Sequence, residues 1–360
     1  MTGEVDVRSR PTMRDVAALA GVSFKTVSRV VNDEPGVSLE LTARVHRAAE
    51  QLDYRHNLAA SNLRRGQRTM AVGVLIQDVG NDFSATLLRA IEDRARTRGI
   101  AVFAASLNEE EQRERDVIAD LVNRRVDGLV LMPATHDQGY LQNDLRAGLA
   151  VVVVDRPARQ LDVDTVLVDN VEGGRTATRH LLRQGHQRIA FVGDREGIAT
   201  ADDRYVGYVR ALEEAGLQVS PEVVRRDARS GEDAAVAVTD LFQQSDAPTA
   251  LFAARNAAAI GAVRALRDLR QEHRVALVAF DDFPLSDLIN PATTVIRQDA
   301  QAIGHTAADL LLRRLDGDTS PTRRVILPTM LVTRGSGEIP PGRRPAARRR
   351  PSGRLSDLPA

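Results

Sequence analysis

The sequence predicts an N-terminal all-α helix-turn-helix headpiece followed by an α/β core of two parallel-sheet subdomains. Two observations lead to this fold class. Residues 12–32 contain two short amphipathic segments that are interrupted at Gly21-Val22-Ser23. From residue 70 onward, continuous apolar runs alternate with amphipathic segments, a pattern typical of parallel strands covered by helices. The stretch 70–338 is long enough to form two such sheets.

The first predicted helix begins near Thr12. Thr12 and Asp15 have the spacing of a helix start signal, in which each side chain satisfies a backbone N–H of the first turn. Val16, Ala17 and Ala20 then give this helix an apolar stripe.

The second predicted helix follows a tight turn. Gly21 suits the turn and Ser23 can cap the helix. An inward stripe is formed by the residues Val27, Val30 and Val31. The opposite face presents the residues Phe24, Lys25, Thr26, Ser28 and Arg29. This polar, basic face is typical of a recognition helix that reads DNA, although an ordinary helical hairpin with a solvated face has the same pattern.

A third helix is predicted from near Ser38 to Leu52, with Ser38 as its cap. The domain boundaries expected from these patterns are a disordered N-terminus over 1–11, a helix-turn-helix domain over 12–53, a hinge or linker over 54–69, a core over 70–338 and a disordered basic tail over 339–360. The Arg343–Arg350 cluster in the tail either attracts DNA weakly or has no role.

Seven apolar runs in the core are predicted to be strands: Ala71–Ile76, Ile100–Ala104, Gly128–Met132, Val151–Val154, Ile189–Val192, Ala250–Ala253 and Val275–Phe280. Helices are predicted between them, among them Ser84–Arg98, Arg113–Arg124, Gly173–Gln184, Ala201–Ala215 and Asn256–Arg267. Ligands of such folds bind beyond the carboxyl ends of the strands. Polar residues follow five of the runs, namely Asp78, Asp155, Asp194, Arg255 and Asp281. They suit contacts to hydroxyls or acidic groups, but any one carboxylate could instead cap a helix or form a structural ion pair.

Composition limits the classes of function. The chain has 360 residues, of which 43% are hydrophobic, and no cysteine, which excludes disulfides and thiol chemistry. It has no apolar run of about 18 residues and no apolar signal segment near Met1, so we expect no membrane span and a cytoplasmic location. Basic and acidic residues are equal in number, but residues 1–69 carry a net charge of +3, which favours local attraction of DNA.

An enzyme is disfavoured. The sequence contains no nucleophile elbow, Walker A loop, zinc-protease helix or dinucleotide-binding glycine motif. Its seven histidines are scattered, so we expect no catalytic residues, no metal and no cofactor. A solute-binding protein is the second hypothesis, and the absence of a signal segment together with the helix-turn-helix argues against it.

These motifs together resemble the LacI/GalR family of bacterial transcription regulators over roughly 12–338. The resemblance rests on an ordered series that includes Asp15-Val-Ala-Ala-Leu-Ala-Gly-Val-Ser, Thr26-Val-Ser-Arg-Val-Val-Asn32, Asn57-Leu-Ala-Ala-Ser-Asn-Leu-Arg64, Val154-Asp-Arg-Pro157, Ile189-Ala-Phe-Val-Gly193, Arg204-Tyr-Val-Gly207 and Phe280-Asp-Asp282. It implies a homodimer, a near-palindromic double-stranded operator, and a periplasmic-binding-protein-like core that binds a small-molecule effector. By the same resemblance, one subdomain covers about 70–168 and 298–328, and the other about 169–297 and 329–338.

The resemblance also assigns DNA contacts. It implies that Phe24, Lys25 and Arg29 read bases in the major groove. Contacts to phosphates are implied for Thr12, Ser23, Thr26, Ser28 and Asn32. Asn57 belongs to the implied hinge helix, where Leu63 would wedge into the central minor-groove step. The alternatives are that Phe24 is a core aromatic and that Leu63 only packs a short linker helix.

For the effector, the resemblance implies contacts from Phe83, Asp155, Asp169, Arg204, Arg255 and Asp281, and a sugar or sugar derivative as the ligand. The family often has Asn-Asp where this chain has Arg255-Asn256. A permanent charge there could favour an anionic effector such as a sugar acid or sugar phosphate, or it could pair with an acid such as Asp281. A regulator that no longer responds to a ligand also stays open, as does the choice between inducer and co-repressor.

Overall fold

The computed structural model describes residues 11–32, 34–55 and 69–342, and the chain divides after Thr69 into two compact units. The predictions for the N-terminus before Pro11, for the hinge residues Asn57 and Leu63, and for the tail beyond Gly342 lie outside the described residues. In the first unit the helices are α1 (Met13–Ala20), α2 (Phe24–Val31) and α3 (Leu39–Gln51).

The first unit is the predicted helix-turn-helix. Thr12 and Asp15 form a capping box at α1, and Gly21 ends that helix with a left-handed φ of 62°. Its core is closed by fully buried valines from all three helices, Val16, Val27 and Val45. Tyr54, which the sequence placed in the linker, also packs against this core.

The second unit contains two six-stranded sheets, which confirms the predicted fold class. The strands of the first sheet are β1 (Ala71–Ile76), β2 (Ala101–Ser106), β3 (Gly128–Leu131), β4 (Ala150–Val154), β5 (Asp164–Val168) and β11 (Arg324–Leu327). They are all parallel and lie in the order β11-β5-β4-β3-β1-β2. The helices that go with this sheet are α4 (Asp82–Thr97), α5 (Glu111–Asn123), α6 (Gln142–Arg146) and α11 (Ala300–Leu315).

The strands of the second sheet are β6 (Ile189–Gly193), β7 (Val224–Arg226), β8 (Ala250–Ala253), β9 (Ala276–Phe280), β10 (Thr294–Arg297) and β12 (Met330–Val332). Their order is β12-β10-β9-β8-β6-β7, and only β12 is antiparallel to its neighbour. The helices of this half are α7 (Asn170–Arg183), α8 (Ala199–Glu214), α9 (Gly231–Phe242) and α10 (Asn256–Asp268). One apolar cluster lies on each face of this sheet.

The chain passes between the two sheets three times, after Val168, after Arg297 and after Leu327. Each sheet is therefore built from segments distant in the sequence. The folded core extends past residue 338, because the Ile339 carbonyl accepts a hydrogen bond from His186 Nε2 at 2.8 Å. Ile339 therefore belongs to the core, although the sequence placed it in the basic tail.

Helices α7 and α8 approach each other at two glycines. A Cβ atom on Gly174 would lie 2.3 Å from the backbone oxygen of Arg204, and one on Gly207 would lie 2.1 Å from that of Val171. Only glycine permits this spacing. The close contact fixes the position of α8 and of the Arg204 side chain that it carries. No helix in the described ranges is long and apolar enough to cross a membrane.

Candidate functional site

Helix α2 presents the face that the sequence predicted. Phe24 is 46% exposed and Lys25 is exposed, whereas Val27 and Val30 on the opposite side are buried. Phe24 is therefore not a core aromatic. Ser23 caps the helix by accepting a hydrogen bond from the Thr26 N–H at 3.1 Å. A short helix with an exposed aromatic and a cation in its first turn can enter a major groove.

The predicted phosphate-contacting residues lie at helix ends. Thr12 caps α1, and its hydroxyl donates to Asp15 at 2.7 Å. At the other end of α2, the Asn32 amide donates to the Ser28 carbonyl at 2.5 Å and to its hydroxyl at 3.3 Å. Backbone N–H groups at the beginnings of α1 and α2 form a surface suited to phosphate oxygens.

A cleft lies between the carboxyl ends of the two sheets. Its deep part encloses a cavity of about 70 Å³. Five of the six predicted effector residues line it, namely Phe83, Asp155, Arg204, Arg255 and Asp281. This is the edge at which polar residues follow the apolar runs in the sequence.

Asp169 does not join them. Its side chain caps α7 by accepting a hydrogen bond from the Glu172 N–H at 2.8 Å, and the residue is exposed. The assignment of Asp169 as an effector contact is therefore not supported by this geometry, and the simpler alternative of a helix cap accounts for it.

Arg204 and Asp281 form the central pair of the cleft. Arg204 Nη1 lies 3.5 Å from Asp281 Oδ2 and donates to the Ala254 carbonyl at 2.8 Å. Its Nε donates to Asn170 at 2.9 Å, and its guanidinium lies 3.7 Å from the centre of the Phe280 ring. Arg204 is 6% exposed, so these contacts compensate for the burial of its charge.

Two further arginines are paired with acids of the cleft. Arg255 forms an ion pair with Asp194, not with Asp281. Arg156 forms a two-pronged ion pair with Glu109 and donates to the Pro133 carbonyl at 2.8 Å. Every arginine that lines the deep cavity therefore has a carboxylate beside it.

Asp155 is the least compensated carboxylate of the cavity. It is 9% exposed, and burial raises the pKa of its carboxyl group, while the nearby guanidinium groups of Arg156 and Arg204 oppose that shift. Both Asp155 and Asp281 adopt left-handed backbone conformations, with φ of 66° and 68°. Such conformations are strained for residues other than glycine and cluster at ligand sites.

Sequence reasoning missed several residues of the cleft. Asn81 and Asn256 bond to each other across it, and Gln298 donates to Asp281 Oδ1 at 2.6 Å. The Gln298 Oε1 atom is buried without a partner in the described structure. Neutral amides give no charge or motif signal, and only their positions next to strand ends could have indicated them. Within the described ranges, no group of three or more acidic, histidine or cysteine side chains could hold a metal ion.

A helix-turn-helix joined to a two-sheet core with a polar cleft defines a class of ligand-responsive, DNA-binding transcription regulators. Residues 12–57 match the model of the lacI family of bacterial regulatory proteins, and residues 178–337 match a periplasmic binding protein-like domain. The chain belongs to the lacI family.

Similar proteins extend over most of the chain. The transcriptional regulator PtxS of Pseudomonas aeruginosa is 32% identical over an aligned length of 342 residues, and the alignment covers 91% of this chain and 96% of that protein. The ribose operon repressor of Halalkalibacterium halodurans is 33% identical over 325 residues, or 90% and 96% of the two chains. The structure of the lac repressor dimer bound to operator and the anti-inducer ONPF has a TM-score of 0.80 at 26% identity and covers 91% of this chain and 99% of its own.

Proposed function

We propose that this regulator is a homodimeric repressor whose affinity for its operator is set by a polyhydroxylated effector, a sugar or sugar derivative, bound in the deep cleft. The observation that carries the proposal is the lining of that cavity, where three arginines are matched by the four carboxylates Glu109, Asp155, Asp194 and Asp281.

This lining favours hydroxyl groups as partners. A hydroxyl can donate to a carboxylate such as Asp155 and accept from a guanidinium such as Arg204, so one ligand satisfies both signs of charge. The amides of Asn81, Asn256 and Gln298 add donors and acceptors of no net charge. Phe83 supplies one apolar surface against which a ring can pack.

The arrangement of the cleft between the two halves of the core suggests how effector binding changes DNA binding. The deep cavity is lined by both sheets, so a ligand that bridges them changes the equilibrium between open and closed clefts. In a dimer this movement would alter the spacing of two headpieces on a palindromic operator. A coupling free energy of about 1–3 kcal/mol would change operator affinity by about 5–150-fold.

Exposed apolar residues of the core support the homodimer. Strand β2 is an edge strand, and its Phe103 is 45% exposed. The second half of the core also exposes large apolar side chains, which are Val236, Ile260, Leu285 and Leu288. An unprotected edge strand with an exposed aromatic is a surface that a second copy can cover.

Three other functions are disfavoured by specific features. Catalysis would need a nucleophile or base held near a reacting group, whereas three of the four carboxylates of the deep cleft are each held by an arginine. A solute-binding protein would have no use for the exposed face of α2. A regulator that uses the core only as a scaffold gains nothing from the strained aspartates of the cleft.

The test is a thermal-shift screen of the full chain with neutral sugars, polyols, sugar acids, sugar phosphates and, as another class, purines. We expect saturable stabilisation by at least one polyhydroxylated compound, because a ligand at about 100 times its Kd stabilises the folded state by about 2.7 kcal/mol. The same compound should change operator affinity. Stabilisation by purines alone, or by none of the compounds, would contradict the proposal.

A further inference from the structure

A second, smaller cavity of about 30 Å³ opens at the mouth of the cleft, and it differs from the deep cavity in its charges. It is lined from one half of the core by His136 and Arg159, and from the other half by Arg195 and Gly197. His136 reaches across the mouth, since a Cβ atom on Gly197 would lie 3.6 Å from the imidazole Cε1.

The basic side chains at the mouth have no protein partners. Within the described residues, no hydrogen bond or ion pair engages the side chains of His136, Arg159 or Arg195. By contrast, each arginine of the deep cleft forms an ion pair with a carboxylate. Glu109 is the single carboxylate lining the mouth in the described structure, and Arg156 already holds it.

The neighbouring acids contact other cations. Glu196 and Asp202 share Arg226, and Asp202 also accepts from the Gly197 N–H at the mouth. Asp194 pairs with Arg255. Among the residues that line the mouth, three guanidinium groups face one carboxylate, although the sequence as a whole has no net charge.

The beginning of helix α8 adds donors to the same place. Ala199, its first residue, lines the mouth, and the residue before it, Ile198, provides no side-chain cap. The N–H groups at the start of this 16-residue helix attract oxyanions through hydrogen bonds and the helix dipole. The Asp202 carboxylate of the first turn, which accepts from the Gly197 N–H at 3.2 Å, offsets part of this attraction. Guanidinium groups and a helix start together suit a carboxylate or a phosphate.

The two cavities are adjacent and share part of their lining. Glu109, Arg156 and Ile198 line both of them. The Nε atom of Arg156 is buried without a hydrogen-bond partner in the described structure and lies 3.8 Å from Asp155 Oδ2. A ligand whose hydroxyls occupy the deep part can thus extend an acidic group into the mouth.

We propose that the mouth is an oxyanion subsite formed by Arg159, Arg195, His136 and the start of α8, and that the effector is an anionic sugar derivative, a sugar acid or sugar phosphate. This inference rests on the proposed function for the hydroxyl-binding part. The anion site itself is independent of it, because its side chains take no part in the deep cleft.

The test compares matched ligands on the full chain by calorimetry and thermal shift. The pairs are glucose with glucose 6-phosphate, ribose with ribose 5-phosphate, and glucitol with gluconate, and inorganic phosphate is titrated against chloride at equal ionic strength. We expect phosphate to bind saturably and the anionic member of at least one pair to bind about 10–100-fold more tightly than the neutral one, as expected for added charge-assisted hydrogen bonds.

The variants Arg159→Gln and Arg195→Gln should remove that advantage, and both should fold because neither side chain has a protein partner in the described structure. Arg210→Gln is the matched control, since it removes an equal charge from an exposed position later on α8. The control should bind like the unmodified chain.

The inference is overturned if phosphate shows no saturable binding, if neutral and anionic members bind alike, or if Arg210→Gln weakens binding as much as the mouth variants. Neutral sugars that bind with no effect of the mouth variants would leave the proposed function standing and remove this subsite. If phosphate binds through Arg159 and Arg195 but no polyhydroxylated ligand binds, the oxyanion subsite stands and the proposed function is rejected.

Discussion

The side-chain amide of Asn81 donates a hydrogen bond of 3.2 Å to Oδ1 of Asn256 across the cleft. Asn81 precedes α4 in the first half of the core, and Asn256 begins α10 in the second half. A direct bond between the two walls favours the closed cleft, so this pair contributes to the equilibrium that the effector is proposed to shift.

Replacing Asn81 by Asp should weaken closure without loss of helix α4. The Asn81 Oδ1 atom caps that helix by accepting from the Phe83 N–H at 3.1 Å, and a carboxylate retains this role. It cannot donate to Asn256, and a net hydrogen bond contributes about 0.5–1.5 kcal/mol. We expect effector affinity about 2–10-fold lower by calorimetry. Equal affinities would show that the bond does not influence closure.

Asp281→Asn should abolish the effector response and preserve DNA binding by the apo protein. The substitution keeps the size of the side chain but removes the negative charge 3.5 Å from Arg204. We expect effector affinity to fall at least about tenfold, because a charge-assisted contact is lost. Calorimetry with the effector and fluorescence anisotropy with the operator measure the two effects separately. A simultaneous loss of both activities would indicate a structural role for Asp281.

Arg29→Ala should weaken operator binding and leave effector binding intact. Arg29 lies in the last turn of α2, where a guanidinium can contact a guanine, and such a contact contributes about 1–3 kcal/mol of discrimination. Arg47→Ala, at an exposed position of α3, removes the same charge and is the control. Operator affinity measured at several salt concentrations distinguishes them. If both variants lost affinity equally on all sequences, Arg29 would be a phosphate contact.

Phe103→Asp should disrupt the proposed dimer. Phe103 is 45% exposed on the edge strand β2, and a carboxylate there would be buried against its copy. We expect sedimentation analysis to show monomers at concentrations where the unmodified chain is dimeric, together with weaker binding to a palindromic operator. An unchanged dimer would place the interface elsewhere on the core.

Stability should fall in mild acid because of His186. The residue is 1% exposed, its Nε2–H donates to the Ile339 carbonyl and its Nδ1 accepts from Thr249 at 2.9 Å. Burial lowers the pKa of the imidazole, so the folded state favours the neutral form. Stability from this residue is therefore present above about pH 6.5 and is lost as pH falls and the unfolded chain takes up the proton. Urea unfolding at pH 7.5 and 5.5 measures how much the free energy of unfolding falls with pH. We expect a smaller fall for His186→Gln than for the unmodified chain, and an equal fall in both would contradict this role.

The headpiece and the regular parts of the sheets could be predicted from the sequence, because their signals are local. Capping residues such as Thr12 and Ser23 mark helix starts, and all seven predicted apolar runs are strands. The five strands without a clear signal, β5, β7, β10, β11 and β12, have three to five residues each. Short strands take their conformation from neighbours already in the sheet, which local patterns do not reveal.

The cleft was predicted only in part, because partners across it are distant in the sequence. The charged residues at strand ends were identified, but whether a carboxylate contacts ligand or caps a helix depends on where the next helix begins. Asp281 and Asp169 look alike in sequence, yet one lines the cavity and the other caps α7. The sequence likewise could not predict that Arg255 pairs with Asp194, or that the arginines at the mouth have no partner in the described structure, because both depend on the folded chain.

Sequence-specific DNA binding by a dimer is best tested by selecting operators from random DNA duplexes with the purified full chain at about 150 mM salt, where non-specific phosphate binding is weak. We expect recovery of a near-palindromic sequence, since two copies of α2 would read two half-sites related by the twofold axis of a dimer. If no sequence were enriched, with or without sugars, sugar acids and sugar phosphates in the binding mixture, the chain would not be an operator-binding repressor.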